Sequence, residues 1–181
     1  MELKEYPDPV LSKICEEVEV GDVSVLPILE EMSEKLYEWN GAGLAAPQVG
    51  ILKRMVVIDI RQEPATLYKM INPKIVWKSE DLIESCEGCL SLPNLRATVL
   101  RHASVQVEYL DTNFQPQKIE GTDFLSCCLQ HELDHLDGKL YIDRLSRFKR
   151  SRAIKTFLKL QQEGLNADSD VNADDFEEDD E

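Results

Sequence analysis

The chain has 181 residues, 43% of them hydrophobic, which is enough for one domain with a buried core. It has no apolar stretch long enough to cross a bilayer, no apolar segment near its start that would suggest a signal peptide, and an odd number of cysteines (five), so we expect a cytoplasmic protein without a disulfide framework. The net charge of −15 is concentrated in residues 168–181, which hold nine acids and no base, and removing these nine charges leaves −6.

The first half of the chain predicts a helix followed by strands. Pro7-Asp8-Pro9 predicts a turn that leads into a short helix. A helical spacing of apolar residues predicts a helix over residues 25–39, and Asn40-Gly41 would end it. Strands are predicted over residues 54–60, 67–73 and 74–78.

The second half predicts a hairpin and two helices. Alternating apolar residues predict a strand over residues 103–110, and a turn leads to a second strand at 117–120. One helix is predicted from Thr122 or Asp123 to Leu136, where Gly138 stops it, and another over residues 146–162. The apolar residues of the last helix are Phe148, Ile154, Phe157, Leu158 and Leu160.

Residues 165–181 lack the apolar content needed to pack and are predicted to be disordered. The predicted organisation is therefore a folded domain at 1–164 and an acidic tail at 165–181. The order of elements indicates an α+β fold, with antiparallel sheets packed around the central helix at 122–136 and helices near both ends.

The most informative segment is His131-Glu132-Leu133-Asp134-His135, an H-E-x-x-H signature. On a helix, residues four apart share one face, so the two imidazoles can bind one metal ion. The carboxylate of Glu132 can then reach a water molecule at that metal. Two of the chain's three histidines have this spacing, which favours a metal site in the predicted central helix.

A catalytic site of this type needs a third protein ligand. Gly138 is placed as in one large class of metalloproteases, but Tyr141 stands where that class has a third histidine. Glu163, the first glutamate downstream, lies at the edge of the acidic tail and is a poor candidate. Asp137 and Asp143 remain open as ligands on spacing alone.

A cysteine upstream is the better candidate for the third ligand. Cys89 follows a glycine in Cys86-Glu87-Gly88-Cys89, and a thiolate is a strong ligand for zinc or ferrous iron. The two cysteines also form a C-x-x-C. A redox pair is disfavoured because Pro93 interrupts the segment that follows, and a zinc finger is disfavoured because about forty residues separate the cysteines from the histidines. We interpret Cys86 as a free thiol near the site, with a fourth-ligand role as the alternative. Residues 41–50 form a Gly-rich loop that would let a substrate backbone approach closely.

Together, three segments of this chain resemble the three motifs of the peptide deformylase family, in the same order and with similar spacing. They are Gly41-Ala42-Gly43-Leu44-Ala45-Ala46-Pro47-Gln48, Glu87-Gly88-Cys89-Leu90-Ser91 and Gln130-His131-Glu132-Leu133-Asp134-His135. The resemblance covers about residues 5–162 and leaves out the acidic tail.

The resemblance implies an enzyme that removes the N-terminal formyl group from formyl-methionine of nascent chains. It implies that Cys89, His131 and His135 bind one divalent metal ion, Fe²⁺ in the native family, with Zn²⁺, Ni²⁺ or Co²⁺ as alternatives in a purified sample. Glu132 would act as general base and then acid. Gln48, through its amide, and Leu90, through its backbone N–H, would stabilise the oxyanion.

The resemblance also implies a substrate site and a partner. Ala42, Phe124, Cys127 and Cys128 would line an apolar pocket for the methionine side chain, Gly43 would pair with the substrate backbone, and Arg96 would lie near the peptide. The basic run in residues 144–159 would allow contact with the ribosome. Neither a membrane nor DNA is expected as a partner.

Two other functions are compatible with parts of the sequence. A general metallopeptidase is disfavoured because good downstream ligands are missing. A ribosome-associated binding protein with a structural zinc is disfavoured because Glu132 and Gln48 are both present. Glu87 is expected to orient a site residue or to pair with Arg101, Asp134 to be an exposed or supporting acid, and Cys15 to be in the core.

Overall fold

The computed structural model describes residues 1–163 and 171–173, and their strands form two sheets around one buried helix. The α-helices in these residues are α1 (Leu26–Glu38), α2 (Asp123–Leu136) and α3 (Arg147–Glu163). The strands are β1 (Gly43–Ala45), β2 (Met55–Ile58), β3 (Tyr68–Lys78), β4 (Leu82–Cys89), β5 (Leu92–His102), β6 (Ser104–Leu110), β7 (Pro116–Thr122) and β8 (Val171–Asn172). Short 3-10 helices cover Pro9–Ser12, Val23–Val25, Ala46–Val49 and Tyr141–Arg144.

The larger sheet has the order β1-β2-β3-β6-β7, with every neighbouring pair antiparallel. Successive side chains of a strand point to opposite faces, so β2 serves two cores. Val56 and Ile58 pack in the cluster that contains Leu129 and Leu133 of α2. Met55 and Val57 pack instead with the buried face of α1. The larger sheet is therefore covered by a helix on each face.

The smaller sheet is built on the β4–β5 hairpin, and β8 pairs with β5 in parallel at Leu95 and Arg96. Its core is shared with the 3-10 helix Tyr141–Arg144 and with α3, through Ala153 and Phe157. This hairpin carries the second of the sequence motifs, so the smaller sheet positions part of the site.

Helix α2 is enclosed between the two sheets. Every residue from Ser126 to Leu136 is buried, including His131, Glu132, Asp134 and His135. Polar groups are costly to bury unless they are bonded or bind an ion, so a helix with this many buried polar side chains indicates a functional centre. The expected α+β arrangement around a central helix is confirmed.

Most predicted elements are present, but the prediction of two strands in residues 67–78 is wrong. These residues form one strand, β3, with a shift of register between Ile71 and Lys74. Asn72 has a positive φ of 52°, and its side-chain amide exchanges two hydrogen bonds of 2.8 Å with the backbone of Val18. This irregularity accommodates Pro73 within the strand, because a proline cannot donate to the ladder.

Strands β4 and β5 were not predicted, although their hairpin forms most of the smaller sheet. In α3, Phe157 and Leu160 are buried as an amphipathic helix requires, whereas Phe148 is 57% exposed and Leu158 is 38% exposed. Two of the apolar residues of this helix therefore lie outside its buried face.

Within the predicted disordered tail, residues 165–170 and 174–181 lie outside the described residues. Val171 and Asn172 form β8, and the N–H of Ala173 donates to the Arg96 carbonyl at 2.8 Å, so disorder does not hold for these three residues. A strand edge offers backbone groups to a passing segment whatever its composition, which is why composition did not reveal this pairing. None of the described helices is both long and apolar enough to span a membrane.

Candidate active site

The two histidines of α2 lie side by side in the interior. His131 and His135 are four residues apart, and their ring centroids are 5.0 Å from each other. His131 is 9% exposed and His135 is 1% exposed. The helical spacing therefore places both imidazoles on one face of α2, as the sequence predicted.

The third metal-binding group comes from the end of β4. Between Gly88 and Cys89 the pairing with β5 shifts from Arg96 to Leu92, and this irregularity brings the Cys89 thiol toward α2. Its Sγ lies 3.3 Å from Nε2 of His135. One ligand atom each from Cys89, His131 and His135 can be chosen so that all lie within 4.8 Å of one another.

These residues fit a divalent transition metal. One thiolate and two imidazoles form a donor set that suits zinc or iron and leaves a position open. Among the described residues, two buried side-chain atoms have no hydrogen-bond partner, Nδ1 of His135 and Oε2 of Glu132. Both lie on the residues expected to bind the metal or to act beside it. Burial holds the pKa of His135 well below its ordinary value, which keeps the imidazole in the neutral form that binds metals.

Glu132 is a buried carboxyl with a raised pKa. Burial raises that pKa from 4.5 to about 7, despite the nearby His131. A carboxyl that titrates near neutral pH can both accept and return a proton. Gly43 of β1 approaches it so closely that a Cβ on this residue would lie 2.2 Å from Oε1 of Glu132. A glycine is therefore required here by the carboxyl group that faces it.

Gln48 is held in one orientation by the backbone. Its Oε1 accepts a hydrogen bond from the N–H of Ala45 at 2.8 Å, and only the carbonyl end of the amide can do so. The NH₂ group therefore points the other way, where it lies 3.2 Å from Oγ of Ser91 and 3.5 Å from Sγ of Cys89. This orientation presents a hydrogen-bond donor beside the metal-binding group.

A buried chain of charged side chains supports His131. Glu87 Oε2 lies 2.8 Å from Nδ1 of His131, and Arg101 donates to both Glu87 oxygens at 2.7 and 2.8 Å. Burial opposes ionisation of Glu87, but the bonds from Arg101 and His131 outweigh it and lower the pKa of Glu87 to about 2. Burial likewise opposes protonation of His131, but Cys89 and Glu87 outweigh it and raise its pKa. Arg101 also binds Asp134 at 2.7 Å.

A cavity of about 660 Å³ opens over these groups. A volume of this order is typical of small-molecule and peptide sites. Its lining contains all the residues predicted to act on or contact substrate, together with two of the three metal-binding residues. They are Ala42, Gly43, Gln48, Cys89, Leu90, Arg96, Phe124, Cys127, Cys128, His131 and Glu132.

Four residues considered from the sequence as metal ligands or as a core residue can be located in the structure. Asp137 pairs with Arg54 at 2.7 Å, and Asp143 pairs with Arg150 at 2.8 Å, so neither belongs to the metal-binding group. Cys86 is an exposed free thiol at the cavity lining and is not part of that group either. Cys15 is buried, as expected.

Sequence reasoning missed two residues that support the site. Arg101 appeared only as a partner for Glu87, yet it is 2% exposed and joins two carboxylates. Leu95, Ala97 and Val99 alternate as buried residues of β5, and Arg101 continues that series, so the alternation was a usable signal. Tyr141 stacks on His131 with ring centroids 6.0 Å apart and donates to the Leu95 carbonyl at 2.9 Å. In the sequence it was noted only as the residue in place of a third histidine, which gave no sign of this supporting role.

Comparison with known proteins gives a consistent result. Residues 1–151 match the family model described as polypeptide deformylase. The peptide deformylase of Agrobacterium fabrum is 44% identical over 155 residues, which cover 84% of this chain and 91% of that protein. That of Finegoldia magna is 49% identical over 138 residues, with 76% and 85% covered. The crystal structure of peptide deformylase from Ehrlichia chaffeensis has a TM-score of 0.85 at 36% identity and covers 92% of this chain and 99% of that one.

Proposed function

The chain belongs to the peptide deformylase family, and we propose on this basis which residues perform its reaction. The enzyme hydrolyses the N-terminal formyl group of formyl-methionine on newly synthesised polypeptides and releases formate. We assign the catalytic domain to residues 1–164. The observation that carries the assignment of roles is the meeting of Cys89, His131 and His135 beside a buried Glu132 with a raised pKa.

Cys89, His131 and His135 would hold the metal ion. A thiolate with two imidazoles suits both zinc and iron, and we propose Fe²⁺ because the resemblance to the family implies it. When bound, the metal supplies Lewis acidity, which polarises the formyl carbonyl and makes the attacking water more acidic. Glu87 fixes the ring of His131 through Nδ1, so that Nε2 faces the other ligands.

Glu132 moves the proton. Its carboxylate takes a proton from the water that attacks the formyl carbon, and the carboxyl then returns the proton to the leaving amine. The pKa of about 7 suits both halves of this cycle near neutral pH. The water oxygen ends in formate, one of the water protons ends on the new amino group, and the second is released when formic acid ionises.

Two donors stabilise the oxygen that becomes negative as water attacks. The NH₂ of Gln48 is already oriented by the bond between its carbonyl and Ala45, so it needs no reorganisation during the reaction. The backbone N–H of Leu90, in the turn between β4 and β5, would be the second donor. Loss of one such donor costs about 2.7–4 kcal/mol in other enzymes.

The substrate lies in the cavity. Ala42, Phe124, Cys127 and Cys128 would contact the methionine side chain, and the thiols of the last two residues are kept protonated because burial raises their pKa. Gly43 is on the short strand β1 and would pair with the peptide backbone in the manner of an added strand. Arg96 would lie along the peptide beyond the first residue.

We further propose that α3 contacts the ribosome and that the protein works in the cytoplasm, where nascent chains emerge. A surface groove of about 270 Å³ on α3 is lined by Arg147, Arg150, Ser151, Ile154 and Lys155. Contacts between such bases and RNA phosphates weaken with salt, so binding to ribosomes should fall steeply between about 50 and 200 mM salt.

The test is formate release from formyl-Met-Ala-Ser by protein prepared anaerobically with Fe²⁺. Glu132→Gln should retain the metal and lose activity, whereas Glu108→Gln, on the exposed side of β6, should match the parent. Retained activity in a metal-loaded Glu132→Gln variant would contradict the role of Glu132. Absence of formate from a fully iron-loaded parent would contradict the whole assignment.

A further inference from the structure

Arg144 reaches from the protein surface to a buried carboxylate. It is the last residue of the 3-10 helix Tyr141–Arg144, and its side chain is 43% exposed. Its Nε lies 3.0 Å from Oδ2 of Asp134, and its Nη2 contacts Oδ1 of the same residue. Asp134 is 6% exposed on the enclosed helix α2. The guanidinium thus binds both carboxylate oxygens, the strongest form of this pairing.

Asp134 also binds a second, buried arginine. Its Oδ2 also accepts a hydrogen bond of 2.7 Å from Nη1 of Arg101, a residue that is 2% exposed. Arg101 in turn binds both oxygens of Glu87, and Glu87 binds Nδ1 of His131. An unbroken series of charged hydrogen bonds therefore connects an exposed arginine to a residue of the metal-binding group.

With His131 neutral, as a metal-binding imidazole must be, the charges of this series balance only when Arg144 is included. The carboxylates of Glu87 and Asp134 face the guanidinium groups of Arg101 and Arg144. Without Arg144, one buried guanidinium would serve two buried carboxylates. A buried carboxylate that loses a partner draws more strongly on the one that remains, so Asp134 would compete with Glu87 for Arg101.

We propose that Arg144 is a positioning residue for the metal site, which acts on His131 through Asp134, Arg101 and Glu87. This inference rests on the proposed role of His131 as a metal ligand. Partners that orient metal-binding histidines set the affinity of the site. The exposed end of the series makes Arg144 replaceable without opening a cavity in the core.

The test measures Co²⁺ affinity by chelator competition, together with the visible absorption of bound Co²⁺, which reports on its ligands. Arg144→Met removes the charge and keeps an apolar stem. Lys53→Met is the matched control, because the Lys53 side chain is 40% exposed and pairs with Glu16, away from Asp134. We expect Arg144→Met to raise the Kd for Co²⁺ about tenfold, the lower end of the range for residues that support metal ligands. Lys53→Met should not change the Kd, and Arg144→Lys should recover part of the loss.

Urea unfolding of the metal-free variants separates positioning from simple stabilisation. If Arg144→Met lowers the free energy of unfolding but leaves Co²⁺ affinity within about twofold of the control, the proposal is overturned. His131→Ala distinguishes the two levels of inference. If His131→Ala also leaves Co²⁺ affinity unchanged, both the ligand assignment and the proposal fail. If only Arg144→Met leaves Co²⁺ affinity unchanged, the ligand assignment stands and the positioning role alone is wrong.

Discussion

Replacing the catalytic carboxyl should stabilise the metal-free protein. Burial raises the pKa of Glu132 from 4.5 to about 7, so the folded state disfavours the charged form. Each pKa unit corresponds to about 1.4 kcal/mol, which makes the cost about 3 kcal/mol when Glu132 is fully ionised. The unfolded chain ionises near pH 4.5, so the cost is absent below that pH, grows as the pH rises and is complete above pH 7. Glu132→Gln should therefore abolish activity and, at pH 8, add up to about 3 kcal/mol to the free energy of unfolding.

Glu87 provides a control of opposite sign in the same site. The bonds from Arg101 and His131 lower its pKa from 4.5 to about 2, so its ionised form stabilises the folded state above pH 4.5, and that contribution is lost as the pH falls toward 2. Glu87→Gln should destabilise the protein at pH 8 by about the same amount. The assay is urea unfolding of the metal-free parent and both variants at pH 5 and pH 8. The reasoning is refuted if Glu132→Gln gains no stability between pH 5 and pH 8 relative to the parent.

Three further variants test other contacts of the site. Gly43→Ala would place a Cβ 2.2 Å from Oε1 of Glu132, so the carboxyl must move, and kcat/KM for formate release should fall on the order of a hundredfold; near-parent activity would contradict this. Gln48→Ala should lower kcat about 10²–10³-fold with little change in KM if the amide acts mainly in the transition state, and a change confined to KM would argue against that. Tyr141→Phe leaves the Leu95 carbonyl without its donor and should cost about 1–3 kcal/mol in urea unfolding, whereas a neutral result would mean that the carbonyl finds another partner.

Helix α2 could be predicted well from the sequence, because its signals are local. The i, i+4 histidines, the start near Thr122 and the stop at Gly138, which has a φ of 69°, all depend on residues within one or two turns. The hairpin of β6 and β7 was equally clear from alternation and a turn. For these elements local preference and tertiary packing agree.

The β4–β5 hairpin could not be recognised in the same way. Its strands meet in a tight turn at Leu90 and Ser91, and Pro93 follows within β5, where a proline normally argues against a strand. The irregular pairing at Gly88 and Cys89 accommodates this and also directs the thiol toward α2. The irregular turn that made these strands hard to predict therefore also positions Cys89 in the site.

The members of the site were expected from the motifs, but their interactions required the fold. Glu87 could be expected to orient a site residue or to pair with Arg101, and the structure has both contacts at once. Arg101 also binds Asp134, which is 33 positions away in the chain, and Asp134 also binds Arg144, which is 10 positions away. Both contacts depend on how β5 and the 3-10 helix Tyr141–Arg144 approach α2.

The enclosure of α2 has a kinetic consequence for the metal ion. Backbone amides in an enclosed core helix exchange with solvent mainly when the whole domain opens, whereas segments near an edge open locally at lower cost. Two of the proposed ligands are on α2, and the third, Cys89, is at the end of β4 beside the cavity. Release and capture of the ion should therefore follow the local opening of the β4–β5 turn, so the rate of metal exchange would report on the hairpin and remain insensitive to the global stability of the fold.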